Sequence, residues 1–249
     1  MDVDRYLDRI NFDGPIGVDL ETLTALQRAH LSSVPFENLY VFHRLGVRTD
    51  TAWSVAKIVD ARRGGWCFET NGAFAALLEV IGFDVTRLGA AVLLNGPSAA
   101  IDHLTVEVML DEPWLVDVGF GDSFMVPLAL NRRGPQDGGT GVFELIDGAQ
   151  GLTLTRHDDG FPAAQYRFTR VSRQMADFDA ASQHLQTADD LHWVHQPFAT
   201  RLLDGGPDRV TLLADRLKIR RGGDTTETPV APDAWDDTLL EWFAMRRPA

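Results

Sequence analysis

A chain of 249 residues can bury a sizeable core as one large domain or as two or three small ones, and 45% hydrophobic content is that of a folded protein. Acidic residues outnumber basic ones by 36 to 23, and the formal charge of −13 argues against nucleic acid or an anionic membrane surface as partner. The single cysteine excludes an intramolecular disulfide framework and fits a reducing compartment. The acidic start, Met1-Asp2-Val3-Asp4-Arg5, lacks the apolar region of a signal peptide, and no apolar run reaches the roughly 18–20 residues of a membrane span, so a cytoplasmic location is expected.

Taken in order, residues 2–10 read as a short helix closed by Asn11-Phe12-Asp13-Gly14-Pro15. A second helix is expected over 20–32, with Leu20, Leu23, Leu26 and Gln27 as its inner stripe and Thr22 as a cap. Pro35 ends it and biases Val34 to an extended form. A third helix is expected over 53–62, and a fourth after Cys67, where Phe74, Leu77, Leu78 and Ile81 recur at helical spacing before Gly82. At Asp84 the period changes to that of strands: 85–94, then a turn at Asn95-Gly96-Pro97-Ser98, then 103–110. In the latter, Leu104, Val106, Val108 and Leu110 face one way and His103, Thr105 and Glu107 the other. Further strands are expected at 114–118, 142–146, 152–155 and 165–169, forming an antiparallel sheet or barrel, with 136–141 as a mobile loop. A helical stretch after Asp177, strands at 210–213 and 216–220 and a helix near 235–245 give a mixed α/β end.

Cys67 lies where Gly64-Gly65 gives way to the fourth helix, so its thiol is at a helix N-terminus, where unpaired N–H groups and the macrodipole favour a thiolate. The alternative is a small buried hydrophobe. A cysteine nucleophile needs a base, and the base needs an acceptor to fix its tautomer. Of seven histidines, His103 stands out at the start of an alternating strand. Asp117 is the one carboxylate in Trp114-Leu115-Val116-Asp117-Val118-Gly119, so it either faces water or has a specific partner. A hairpin turning at 111–113 would set Asp117 opposite Glu107 and His103 opposite Gly121, four residues apart on one face, and contact would need a bulge or a sheared register. One cysteine with scattered histidines fits no metal-ligand spacing.

Arg63-Gly64-Gly65-Trp66-Cys67-Phe68-Glu69-Thr70-Asn71, Val34-Pro35-Phe36-Glu37-Asn38-Leu39, Asp102-His103-Leu104 and Trp114-Leu115-Val116-Asp117-Val118-Gly119-Phe120-Gly121 together resemble the arylamine N-acetyltransferase family, up to about residue 125. The resemblance implies a Cys67-His103-Asp117 triad and an α+β fold related to papain-like proteases and transglutaminases. That fold comprises an N-terminal helical bundle (1–84), a central antiparallel β-barrel (85–190) and a C-terminal α/β lid (191–249). It implies acyl transfer from a thioester to an aromatic amine through an acyl-enzyme, with acetyl-CoA or another acyl thioester as co-substrate and no bound cofactor. Phe36, Phe120, Gly121 and Phe124 are the expected substrate-binding residues. Phe36 and Phe120 suit an apolar slot or plain core, and the N–H groups of Gly119 and Gly121 suit a phosphate or a pantetheine carbonyl. Glu37 and Arg63 are expected to pair. One stretch departs from the family pattern: where members using acetyl-CoA carry a Thr-Ser-Pro-x-Ser-x-Phe-like segment, this chain has Gln186-Thr187-Ala188-Asp189-Asp190-Leu191-His192-Trp193. Two carboxylates there would oppose a phosphorylated coenzyme. The alternative reading is therefore an ansamycin-type amide synthase, which takes its acyl group from an acyl carrier protein and closes a macrolactam.

Overall fold

Short-range signals at the chain's helix ends decide where the first third bends. In the computed structural model, which describes residues 1–94, 96, 101–158 and 161–248, helix α1 (Val3–Ile10) is capped by Asp2 and stops at Asn11 in a left-handed conformation. Helix α2 (Leu20–Ser33) is capped by Asp19, whose carboxylate accepts the Thr22 N–H at 2.7 Å, so Thr22 is the capped residue rather than the cap. Leu23, Leu26 and Gln27 are buried as expected, while Leu20 faces solvent. After Pro35 come strand β1 (Phe36–Glu37), a single turn α3 (Leu39–Phe42) and α4 (Thr51–Val55). The expected third helix is thus a short α-turn that widens into a π turn (Ala56–Asp60), and the π turn carries Lys57 on its buried side. Helix α5 (Cys67–Ile81) runs through the core and ends at Gly82, whose φ of 116° favours glycine.

Eight antiparallel strands follow: β2 (Asp84–Val92), β3 (His103–Met109), β4 (Pro113–Val116), β5 (Leu128–Ala129), β6 (Gln136–Asp137), β7 (Val142–Gly148), β8 (Gly151–Asp158) and β9 (Phe161–Ser172). Their spatial order is β5-β4-β3-β2-β9-β8-β7-β6. The two end strands are stitched by a side chain. Gln136 Oε1 accepts the Ala129 N–H at 2.9 Å, Gln136 Nε2 donates to the Ala129 carbonyl at 3.1 Å, and Met125 N–H reaches the Gly138 carbonyl at 2.7 Å. The sheet becomes a nearly closed barrel, and 136–141, expected as a mobile loop, begins with its seam. The polar residues there satisfy backbone groups that closure buries. Strand β3 is covered on both sides: Val106 and Val108 pack with α5, while His103 and Thr105 point into the barrel beside Tyr166. Of the expected turn before β3, Asn95, Pro97 and Ser98 lie outside the described residues.

Beyond β9 a 3-10 turn (Met175–Phe178) and α6 (Asp179–Thr187) return to the helical region, where Gln186 bonds both the N–H and the carbonyl of Val47 at 2.7 and 3.1 Å. A second 3-10 turn (His192–Val194) leads to β10 (Ala199–Leu202), β11 (Arg209–Leu212), β12 (Arg216–Arg221), β13 (Asp224–Pro229) and α7 (Trp235–Phe243). These four strands form a sheet with β1, in the order β1-β10-β11-β12-β13, so a strand from residues 36–37 belongs to the C-terminal layer. Among the described residues no helix is long and apolar enough to cross a membrane.

The barrel seam generates a prediction. Gln136→Ala removes two hydrogen bonds and strands the buried N–H of Ala129, whose carbonyl keeps the Arg132 N–H at 3.3 Å, at a cost of about 1–3 kcal/mol. Chemical denaturation should show a lower midpoint with an unchanged slope, and a midpoint equal to wild type would mean that the seam does not hold the barrel.

Candidate active site

Two glycines bring the β1 segment against the start of α5. A Cβ on Gly64 would lie 2.1 Å from the Pro35 carbonyl oxygen, and one on Gly65 would lie 2.7 Å from Glu69 Oε2. With no side chain there, the Glu37 N–H donates to the Gly65 carbonyl at 3.0 Å and the Gly65 N–H to the Pro35 carbonyl at 3.2 Å. Glu69 in the first turn of α5 accepts the Trp66 N–H at 3.1 Å and the Lys57 ammonium at 2.8 Å. Lys57 Nζ also lies 3.7 Å from Glu37, so Lys57, not Arg63, is the partner of Glu37. Arg63 instead covers the Tyr40 ring and donates to the Arg246 carbonyl at 3.0 Å. All three members of the Lys57–Glu37–Glu69 group are buried. Burial pushes the Glu69 carboxyl up from its ordinary range and Glu37 adds to that, while Lys57 pulls the other way.

Cys67 thus opens α5, buried but facing a cavity. His103 enters from β3 and Asp117 from the end of β4. The β3–β4 hairpin turns one residue earlier than the sequence suggested, at 110–112, pairing Val106 with Val116 and Glu107 with Leu115. The resulting two-residue shift in register makes His103 and Asp117 diagonal neighbours without a bulge, and His103 Nε2 lies 2.7 Å from Asp117 Oδ2. Asp117 Oδ1 accepts from Asn71 Nδ2 at 2.8 Å and from the Gly119 N–H at 2.9 Å. Asn71, one turn beyond Cys67 on α5, also donates to the Leu104 carbonyl at 2.6 Å and accepts the Val118 N–H at 2.8 Å. Gly119 passes so close that a Cβ on it would sit 2.7 Å from Cys67 Cα. Its N–H is spent on Asp117, and this overturns the expectation that it is free for a phosphate or a carbonyl.

The charges at this centre are held as a pair. Burial disfavours the imidazolium of His103, but the Asp117 carboxylate, their hydrogen bond and a hydrogen bond with the Cys67 thiol outweigh it, and the His103 pKa is raised. Burial would raise Asp117 too, yet His103, Asn71 and the Gly119 N–H hold its carboxyl below the ordinary range. With Nε2 bonded to Asp117, Nδ1 is the ring nitrogen left for the thiol. Tyr166 packs its ring 5.0 Å from both His103 and Phe120, and burial, with Asp117 adding, keeps its phenol protonated.

The cavity before Cys67 measures about 340 Å³ and is lined mainly by aromatic and aliphatic groups, including Phe36, Trp66, Phe120, Trp193 and Phe198, with His103 and Asp102 at its polar end. Phe36 and Phe120 line it. Gly121 lines a neighbouring cavity instead. Phe124 is 1% exposed inside the barrel, edge-on to Phe143, and has no face on the cavity. The irregular stretch after Phe120, bent at Gly121 with a φ of 90°, carries Phe124 into the barrel cluster with Leu115, Leu128 and Phe143. Asp189, expected near the donor, is 88% exposed and 3.9 Å from Arg44, and neither it nor Asp190 lines either cavity. Among the described residues no group of three or more His, Cys, Asp and Glu side chains is placed to hold a metal ion. Asn71, Lys57 and Trp193 were not singled out from the sequence. Asn71 was detectable, since a polar residue four positions after Cys67 shares its helical face.

A thiol at a helix start, an imidazole on a barrel strand and a carboxylate at the next strand's end, in that chain order, define a protein of the cysteine–histidine–aspartate class on an α+β scaffold. Residues 19–246 match a family model described as N-acetyltransferase. The chain is 35% identical over 214 residues to a pineal-gland arylamine N-acetyltransferase isozyme of Gallus gallus, covering 76% of this chain and 74% of that one. It is 30% identical over 236 residues to the arylamine N-acetyltransferase of Escherichia coli (strain K12), covering 93% and 83%. The structure of the Mycobacterium marinum arylamine N-acetyltransferase in complex with CoA superposes with a TM-score of 0.90 at 31% identity, covering 98% of this chain and 92% of that one. The chain belongs to the N-acetyltransferase family.

The pair at the centre has a pH signature. The raised His103 contributes stability that is complete below its ordinary pKa of 6.5 and is lost as pH rises toward the folded value. The depressed Asp117 contributes stability that is present above 3.8 and is lost as pH falls. Asp117→Asn should therefore lower stability most between about pH 4 and pH 6.5, by roughly 2–3 kcal/mol there, seen as the largest fall in Tm, with the gap to wild type narrowing on both sides. Parallel Tm–pH curves for the two proteins would show that Asp117 and His103 are not charge-coupled.

Proposed function

We propose that this protein is an arylamine N-acetyltransferase that carries the acetyl group on Cys67. The observation that supports it most is the buried His103–Asp117 bond of 2.7 Å beside a thiol that opens on an apolar cavity. In the first half-reaction the thiol proton already rests on His103 as imidazolium, and Sγ bonds to the carbonyl carbon of acetyl-CoA. The C–S bond of the donor then breaks, and the departing CoA thiolate takes the proton from His103. In the second, the nitrogen of the aromatic amine bonds to the same carbon. His103 removes an N–H proton, the Cys67 C–S bond breaks, and the thiolate–imidazolium pair is restored. Asp117 supports both halves by holding the Nε2 proton and the resulting imidazolium, and Asn71 fixes Asp117. The amine suits an apolar cavity because an arylamine nitrogen is largely unprotonated near neutral pH, so no ammonium has to be desolvated. Asp189 and Asp190 line neither cavity, which removes the objection to acetyl-CoA and favours the acetyl reading over a carrier-protein donor.

Intact mass after incubation with acetyl-CoA alone should show one added acetyl group, lost when an arylamine is supplied. Cys67→Ala should show neither, should melt near wild type, and should lose on the order of 10⁴-fold or more in turnover. A folded Cys67→Ala protein that still transfers acetyl groups would falsify the acyl-enzyme reading.

A further inference from the structure

Five side chains, Phe36, Phe120, His192, Trp193 and Phe198, line both the catalytic cavity and a second cavity of about 460 Å³ on the side of the C-terminal sheet. Four of them, Phe36, Phe198, Trp193 and His192, form a continuous aromatic wall. Phe36 and Phe198 lie 5.6 Å apart between ring centroids, Trp193 and Phe198 5.9 Å, and His192 and Trp193 3.8 Å. The five differ in what else they do. Phe36 sits on β1, paired with Thr200, and Phe120 is packed against His103 and Tyr166. Phe198 leads directly into β10. Trp193 lies in the 3-10 turn that joins α6 to β10, and its half-buried ring is shared between the two cavities.

The backbone under the wall is clamped by one residue. Asn38, 2% exposed, donates through Nδ2 to the carbonyls of Trp193 at 2.6 Å and Gln196 at 2.8 Å, and accepts the Phe198 N–H on Oδ1 at 2.8 Å. Val194 is buried in the cluster that holds Cys67 and Phe68. The turn is thus fixed from both sides while the Trp193 ring is left to shape the space in front of the thiol.

We propose that Trp193 is a specificity-determining partition, with Asn38 as its positioning residue, and that it confines the acceptor to a small arylamine by closing off the second cavity. This rests on the acetyltransferase reading. A cavity of about 340 Å³ stands at the low end of small-molecule sites, roughly 300–1,000 Å³, and it must hold the amine together with the acetyl group on Cys67. Shortening Trp193 joins it to the second cavity, whose far wall carries Arg209, Lys218 and Arg220, and the joined space accepts a fused-ring amine.

The test compares Trp193→Ala and Trp193→Phe with wild type on aniline and on a three-ring fused aminoarene. The rate of Cys67 acetylation by acetyl-CoA alone is measured separately. In Trp193→Ala the ratio of kcat/KM for the fused-ring amine to that for aniline should rise about tenfold, the order expected when a few carbon atoms of room are gained in an apolar pocket. The rise should be carried by KM and should exceed any change in the acetylation rate. Trp193→Phe should move the ratio the same way by less, and it decides the matter if the alanine variant does not fold. A ratio unchanged in the folded variants, or a fall in both amines that matches the fall in acetylation, overturns the partition. Absence of an acetyl-enzyme in the wild type would overturn the acetyltransferase reading instead.

Discussion

The carboxylate of Asp117 is the point at which three parts of the chain are tied. Leaving it buried and unpaired would be far more costly than any single contact in the molecule, so its surroundings are built to satisfy it. His103 comes from β3, Asn71 from α5, and the Gly119 N–H from the loop that Asp117 itself begins. Asn71 spends every hydrogen-bonding group of its amide on this joint, including the backbone of Leu104 and Val118. The thiol and the imidazole therefore meet because helix, strand and loop are locked to one carboxylate. The bare backbone of Gly119 against Cys67 Cα completes the lock, since any side chain would force the loop off the helix.

How far this was readable from the sequence depends on the range of the signal. Helix α5, its Gly82 stop and the alternation of β3 are local patterns, and they stand where the residues place them. The union of Cys67, His103 and Asp117 was readable only by resemblance. Its geometry turned on the β3–β4 register, and a two-residue difference there is invisible to periodicity. Long-range polar work was the least legible. Gln136 looks like a loop residue until the barrel brings it to Ala129, and Lys57 looks like a helix surface residue until the π turn rotates it inward. Strand β13 is exposed along its whole length and offers no alternation to read, and β10 is only four residues long.

Beneath the thiol a second buried polar group repeats the logic of the first. Lys57 stands between Glu69, which holds the first turn of α5, and Glu37, which accepts the Leu39 N–H behind β1. Burial pushes Glu69 toward its protonated form, and Glu37, the second carboxylate against one ammonium, adds to that push. The joint positions the nucleophile helix relative to β1, and β1 is the edge strand of the C-terminal sheet. A few residues around position 37 thus couple the helical region to the lid, alongside the apolar contacts made by Leu39 and Leu202.

The same division separates the buried polar network from the wall of the cavity along the chain. Nothing in the Cys67–His103–Asp117–Asn71 network comes from beyond β9, whereas the wall in front of it takes Trp193 and Phe198 from the C-terminal third. Between them lies Asp122, two residues after Phe120. Its carboxylate meets Arg220 at 2.7 Å and Arg209 at 3.3 Å from the C-terminal sheet, and Arg156 at 3.3 Å from the barrel. Burial would raise Asp122, but these three guanidiniums hold its pKa down to about 2, so the contact is ionised throughout the neutral range. The loop carrying Phe120 is therefore anchored at one end by the Asp117 carboxylate and at the other by the lid. A change in the lid can reshape the wall through Asp122 while the bond between His103 and Asp117 stays in place.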